Sequence, residues 1–190
     1  MSAAVATENK RIHPHKFTMW VAMGSIVMMF AGLTSAYVVR RNQGNWQEFN
    51  LPLEFWYSTA VILASSVTMY LSEKAFKSRE MARYRTLITV TAVLGVLFAV
   101  LQGFGFADLH GQGIKLVKGS NPAAAFLVII TGLHALHVLG GVVALLIFFI
   151  KAYSSKTKNY SPVPVEVLAT YWHFVDVLWI YLFLFFGFTH

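Results

Sequence analysis

Long apolar runs broken by short polar and basic stretches organise this chain, and five of them qualify as membrane spans: 17–39, 53–71, 87–107, 122–150 and 164–188. A helix crosses about 30 Å of hydrocarbon in roughly 20 residues, which is the scale of each run. In hydrocarbon every backbone donor and acceptor has to be paired inside its own segment, so helices are expected and an open sheet is not. The pattern predicts an all-α polytopic bundle of five transmembrane helices, folded as one membrane domain over residues 1–190. The connections are short; the longest, 108–121, carries Gly111, Gly113 and Gly119 with mixed charge and has no room for an extramembrane fold.

The basic residues between the runs set an orientation. Lys10, Arg11, Lys16, Lys74, Lys77, Arg79, Arg83, Arg85, Lys151, Lys156 and Lys158 fall on one side, whereas Arg40, Arg41, Lys115 and Lys118 fall on the other. The positive-inside rule therefore predicts a cytoplasmic amino terminus and an outside carboxyl terminus. The first fifteen residues are polar and show no short apolar stretch with a small-residue cleavage site, so the first helix is expected to direct insertion. Gly24 and Gly32, and again Gly95 and Gly103, stand eight apart and are expected to let neighbouring helices approach closely.

Composition narrows the chemistry. The chain is 57% hydrophobic and 12% charged, and its formal charge of +7 sits in clusters between apolar runs, a distribution that excludes a nucleic-acid face. There is no cysteine, which excludes disulfides, thiolate zinc, iron–sulfur clusters, c-type haem attachment and a thiolate-bridged copper centre. Any metal would have to use histidine and carboxylate.

The ionisable residues inside the spans are the candidates. His134 and His137 lie three apart in the fourth helix, and His173 and Asp176 three apart in the fifth, so each pair shares a helix face. Counted from the helix ends at about 1.5 Å per residue, all four lie roughly 14–24 Å deep. A charged group at such depth costs at least ~2.5–3.5 kcal/mol, so these residues should face protein and have partners. Three readings compete: a metal or haem site, an interhelical hydrogen-bond cluster in which a neutral histidine donates to Asp176 or to a carbonyl, and a polar pocket for a lipid headgroup with Tyr171 and Trp172 as amphipathic rings. The ligand inventory favours the second and third, because a di-metal carboxylate site needs several Glu-x-x-His glutamates and the run between Glu73 and Glu166 contains only Glu80. A stand-alone membrane cytochrome with His134 or His137 and His173 as haem ligands, and a small transporter with a proton site at Asp176, are the rival functions. The transporter pattern of matched Gly/Pro-broken helices is weak here.

The stretch Tyr171-Trp172-His173-Phe174-Val175-Asp176-Val177-Leu178-Trp179 resembles the signature of subunit III of the haem-copper respiratory oxidases, and Thr131-Gly132-Leu133-His134-Ala135-Leu136-His137-Val138 resembles its second signature. Met19-Trp20, Met29-Phe30-Ala31-Gly32-Leu33 and Ala36-Tyr37 before Arg40 are similar to the first helix of five-helix bacterial members, so the resemblance covers nearly the whole chain.

The resemblance implies a plasma-membrane subunit of an aerobic terminal oxidase. Such a subunit has no redox centre of its own, stabilises the catalytic subunit I, helps sustain proton uptake for oxygen reduction, and binds phospholipid. Haem and copper are expected in the partner subunits I and II; a small subunit IV or a larger respiratory supercomplex would complete the assembly. No nucleic acid is expected. Cytochrome c is the favoured electron donor, with a quinol oxidase as the alternative and a nitric-oxide-reducing complex as a minor one. The isolated chain is expected to be inactive. In two places the chain departs from the family, which commonly carries glutamate where Ile26 and Gly105 stand here.

Overall fold

The computed structural model describes residues 14–41, 53–111, 122–154 and 161–189. The described residues form five helices: α1 Pro14–Arg41, α2 Leu53–Lys77, α3 Met81–Gly111, α4 Pro122–Ser154 and α5 Val163–Thr189. Pro14 and Pro122 open α1 and α4, at positions whose missing N–H no helix bond requires. The Ser161 hydroxyl accepts the Val163 N–H at 3.4 Å at the start of α5. Basic residues Lys10, Arg11, Lys115, Lys118, Lys156 and Lys158, and connection residues 112–121, lie outside the described residues.

Every helix except α2 contains a stretch long and apolar enough to cross a membrane, over 16–41, 81–105, 125–154 and 163–188. α2 has the length, with 25 residues, but carries Ser58, Thr59, Ser65, Ser66, Thr68 and Ser72 through its middle. Helical structure also runs past the apolar segments. α2 continues from residue 71 to Lys77, for example, because helix ends reach into the zone where charged side chains can pair with water and each other. Lys77 closes that last turn on Glu73 at 2.6 Å, an i, i+4 pair.

α5 packs against α1, α2 and α4, while α3 packs against α2 and α4; α1 rests on α4 and α5 and does not pack on α2. The interior is therefore built around α5. Trp179 takes the rings of Phe55 and Phe98 edge-on at 5.7 and 5.6 Å, and Tyr37 of α1 meets Phe185 and Phe186 at 5.2 and 5.6 Å. Outward faces are as greasy as the core, with Trp20, Met28, Leu136 and Val177 all exposed, as a bilayer solvent allows.

The α2–α3 connection is tight. Glu80 N–H bonds to the Ala75 carbonyl at 3.0 Å and Arg79 N–H to the Phe76 carbonyl at 3.1 Å, a Schellman closure with Arg79 at φ 60°. Phe76 and Tyr84 then meet across the turn, ring centres 4.8 Å apart.

Of the four glycines expected to permit close approach, Gly95 does so; Gly24, Gly32 and Gly103 have open space beside them. Residues eight apart are rotated by roughly 80° about a helix, so a pair with that spacing does not present one face. The other close approaches are at Gly105, where an added Cβ would stand 2.7 Å from the Phe55 ring, and at Gly141, 3.0 Å from the Trp172 ring.

Candidate functional site

α2 meets the polar atoms of Gln102 and Thr91 on α3 and of Trp172, His173 and Trp179 on α5. Its inward stripe runs Phe55, Ser58, Ile62, Ser65, Met69, Ser72, Phe76, spaced by alternating threes and fours, so apolar knobs alternate with small hydroxyls along one seam. Ser58, Ser65 and Ser72 are each 0% exposed. Gln102 Nε2 donates to Ser58 Oγ at 2.8 Å, Trp172 Nε1 to Ser65 Oγ at 3.1 Å, and Trp179 Nε1 to Thr59 Oγ1 at 3.0 Å. Thr68 and Thr91 share a bond of 2.9 Å. Ser58 and Thr59 in turn donate to the Phe55 carbonyl at 3.0 and 2.7 Å, so each hydroxyl uses its proton locally and its lone pairs across the seam. These hydroxyls escaped the sequence reading; their seven-residue recurrence at 58, 65 and 72 was the available signal.

The expected site residues scatter over this framework. His173 bonds through Nδ1 to Ser66 Oγ at 2.7 Å. His137 bonds through Nδ1 to the Leu133 carbonyl at 2.7 Å; since a carbonyl only accepts, Nδ1 carries the hydrogen. Tyr171 donates its hydroxyl to the His137 carbonyl at 3.0 Å, tying α5 to α4. His134 is stacked on Trp179, centroids 5.2 Å apart at 27°, with Phe30 edge-on at 6.5 Å. Trp172 lies fully buried between Gly95 of α3 and Gly141 of α4.

Of the two acceptors expected for a deep histidine, Asp176 or a carbonyl, His137 takes a carbonyl, and no hydrogen bond joins Asp176 to a histidine among the described residues. His134 and Asp176 are 1% and 2% exposed, and among the described residues neither the two ring nitrogens nor the two carboxyl oxygens have a hydrogen-bond partner. His173, which shares a face with Asp176, takes a serine of α2 instead. Spacing along one helix fixes which side chains are neighbours on it, but the crossing helix decides what each one meets. The described residues include no group of three or more histidines and carboxylates arranged to hold a metal ion.

The family described as cytochrome c oxidase subunit III matches residues 43–189. The chain belongs to that family. A probable cytochrome c oxidase subunit 3 of Nocardia farcinica is 33% identical over 199 residues, covering 96% of this chain and 97% of its own. A cytochrome c oxidase subunit 3 of Corynebacterium diphtheriae is 32% identical over 177 residues, covering 86% and 85%. A cytochrome c oxidase subunit 3 of Pisaster ochraceus is 33% identical over 127 residues, 67% of this chain and 47% of its own. As a member of the subunit III family the chain belongs with an oxidoreductase complex and its partner oxidase subunits, and it is a multi-pass membrane protein.

At Gly105 and Ile26, where the resemblance leads to an expected glutamate, the side-chain space is apolar. Gly105 is buried against the Phe55 ring, which fills the space a glutamate would need. Ile26 is partly buried and packs against the apolar core, one turn from the Phe30 ring that meets His134 and His137.

At the basic end of the bundle, four charged side chains from three helices form a chain of ion pairs. Lys16 of α1 and Lys77 of α2 both reach Glu166 of α5, at 2.5 and 3.0 Å, and Lys77 also holds Glu73. They line a cleft of about 300 Å³ together with Met19, Trp20, Val167 and Thr170, at the place where α1 and α2 stand apart.

Proposed function

We propose that this chain is subunit III of a cytochrome c oxidase in a bacterial plasma membrane. It crosses the bilayer five times as one membrane domain, with the amino terminus in the cytoplasm, and contributes no redox centre. Its work is to stabilise subunit I during turnover, to retain phospholipid, and to support proton uptake for oxygen reduction coupled to proton translocation. Subunits I and II are its partners, and a small subunit IV or a respiratory supercomplex extends the assembly.

One observation carries the non-redox reading. The three deep histidines have three separate attachments: His134 to the Trp179 ring, His137 to its own helix backbone, His173 to Ser66. His137 and His173 each spend Nδ1 on a separate hydrogen bond and His134 packs its ring against the indole, so the three imidazoles serve as separate packing and bonding groups in a lipid-solvated bundle. α2 fits five spans because its polarity is consumed inside the bundle rather than shown to lipid. The relatives' names supply cytochrome c as the donor.

The test is to purify the oxidase from cells lacking this chain and record its haem and copper content, initial turnover and decay of activity. Unchanged haem and copper per subunit I, with faster inactivation during turnover, is the expected result. Stoichiometric loss of haem or copper, or a Soret band in the isolated chain, would overturn the reading.

A further inference from the structure

An outward groove of about 220 Å³ runs between α3 and α4, lined by Thr89, Ala92, Val93, Val96, Leu146 and Phe149. Arg85, Thr89, Ala92 and Val96 succeed one another at spacings of three and four, so one face of α3 passes from a cation through a hydroxyl to apolar residues. α4 repeats the order beside it, from Tyr153 to Phe149 and Leu146. The two faces together have the polarity sequence of an amphiphile.

The polar end is built. Arg85 Nε donates to the Ala152 carbonyl at 2.8 Å, its guanidinium carbon lies 5.7 Å from the centre of the Tyr153 ring, and Tyr153 OH is 3.2 Å from Thr89 Oγ1. Anchoring through Nε leaves the terminal nitrogens of the guanidinium for a planar two-oxygen acceptor, the pairing Arg makes with phosphate. Among the described residues no carboxylate pairs with Arg85; Glu80, the acid of the neighbouring turn, is held by Arg83 at 3.3 Å. With the Arg85 cation at the mouth and no acid paired with it among the described residues, a headgroup that carries its own ammonium is disfavoured.

We propose that this groove is a binding site for one anionic phospholipid, whose phosphodiester pairs with Arg85 and whose acyl chain lies along Ala92, Val93, Val96 and Leu146. Binding needs a lipid environment but no partner subunit. It is separate from the buried histidines and from the Lys16–Glu166–Lys77 cleft.

The test uses the purified full chain in mild detergent, exposed to equimolar dioleoylphosphatidylglycerol and dioleoylphosphatidylcholine and examined by native mass spectrometry. Retention of the glycerol lipid should exceed that of the choline lipid by about fivefold, the worth of one favourably placed cation. Arg85→Gln should bring the ratio to about one, Arg85→Lys should keep part of the preference, and Arg83→Gln should leave it unchanged. Val96→Trp, at an exposed position that fills the groove, should reduce retention of both lipids. Equal retention by the unmodified chain, a preference that survives Arg85→Gln, or displacement of the lipid by inorganic phosphate alone would overturn the proposal. So would a protein cross-link in place of a lipid adduct from a photoreactive group at Val96 in the intact complex.

Discussion

Gly95 and Trp172 touch so closely that a methyl group on the glycine would stand 2.9 Å from Cη2 of the indole. The ring cannot swing away, because its Nε1 is bonded to Ser65 on the far side and Gly141 closes the third. Gly95→Ala should therefore destabilise the bundle by about 1–3 kcal/mol through overpacking. Gly103→Ala and Gly32→Ala, with open space at the added methyl, should be near neutral. Thermal unfolding in detergent, followed by tryptophan fluorescence, distinguishes them; equal midpoints for Gly95→Ala and Gly103→Ala would contradict the close contact.

Ser65 and Trp172 make a bond between α2 and α5 with no water to replace either partner. Ser65→Ala leaves the indole N–H unpaired and should cost about 1–3 kcal/mol. In a double-mutant cycle with Trp172→Phe, the coupling should be about 1 kcal/mol, within the range of interhelical bonds in membranes. A coupling of zero would mean that the indole N–H has found another acceptor.

Asp176 behaves differently from its neighbours. With no hydrogen-bond partner for either oxygen among the described residues, Asp176→Asn and Asp176→Leu should leave the stability of the isolated chain within about 0.5 kcal/mol of the parent, or raise it. His173→Phe, which removes the interhelical bond to Ser66, should cost more. A loss above about 1 kcal/mol for Asp176→Asn would reveal a bond that the carboxyl does make.

The number of helices and their approximate positions were legible from apolar runs, because hydropathy and backbone pairing are local properties. Helix ends were not, since Glu73, Lys74 and Lys77 look like a connection yet continue α2 by pairing on its own surface. His173 and Asp176 stand three apart on α5, yet a serine of α2 meets the imidazole, a choice made by helix rotation that no spacing along α5 announces. The pairing of Lys16 with Glu166 joins the first helix to the last. Nothing local announces it.

Glu73 first, and Glu166 with it, hold the Lys77 ammonium above its ordinary value of 10.5. The sign follows: the favourable contribution is complete below the unfolded value and is lost as pH rises through the higher folded one. Lys77 is half exposed, so solvent screens the pair and the effect on stability is small. The readout is chemical instead. Near about pH 9, Glu166→Gln should raise the acetylation rate of Lys77, because more of the amine is then free. An unchanged rate, measured by peptide mass spectrometry, would remove Glu166 from the pairing.

The hydroxyl-bearing seam of α2 also has a bearing on biogenesis. A helix whose serines bond to Gln102, Trp172 and His173 has none of those partners when it first leaves the ribosome. Because the closure at Arg79 joins α2 directly to α3, the hairpin is the smallest piece that can satisfy part of that polarity on entering lipid. α2 is thus committed to the membrane by what is synthesised after it, and nascent chains halted before α3 should slip back out.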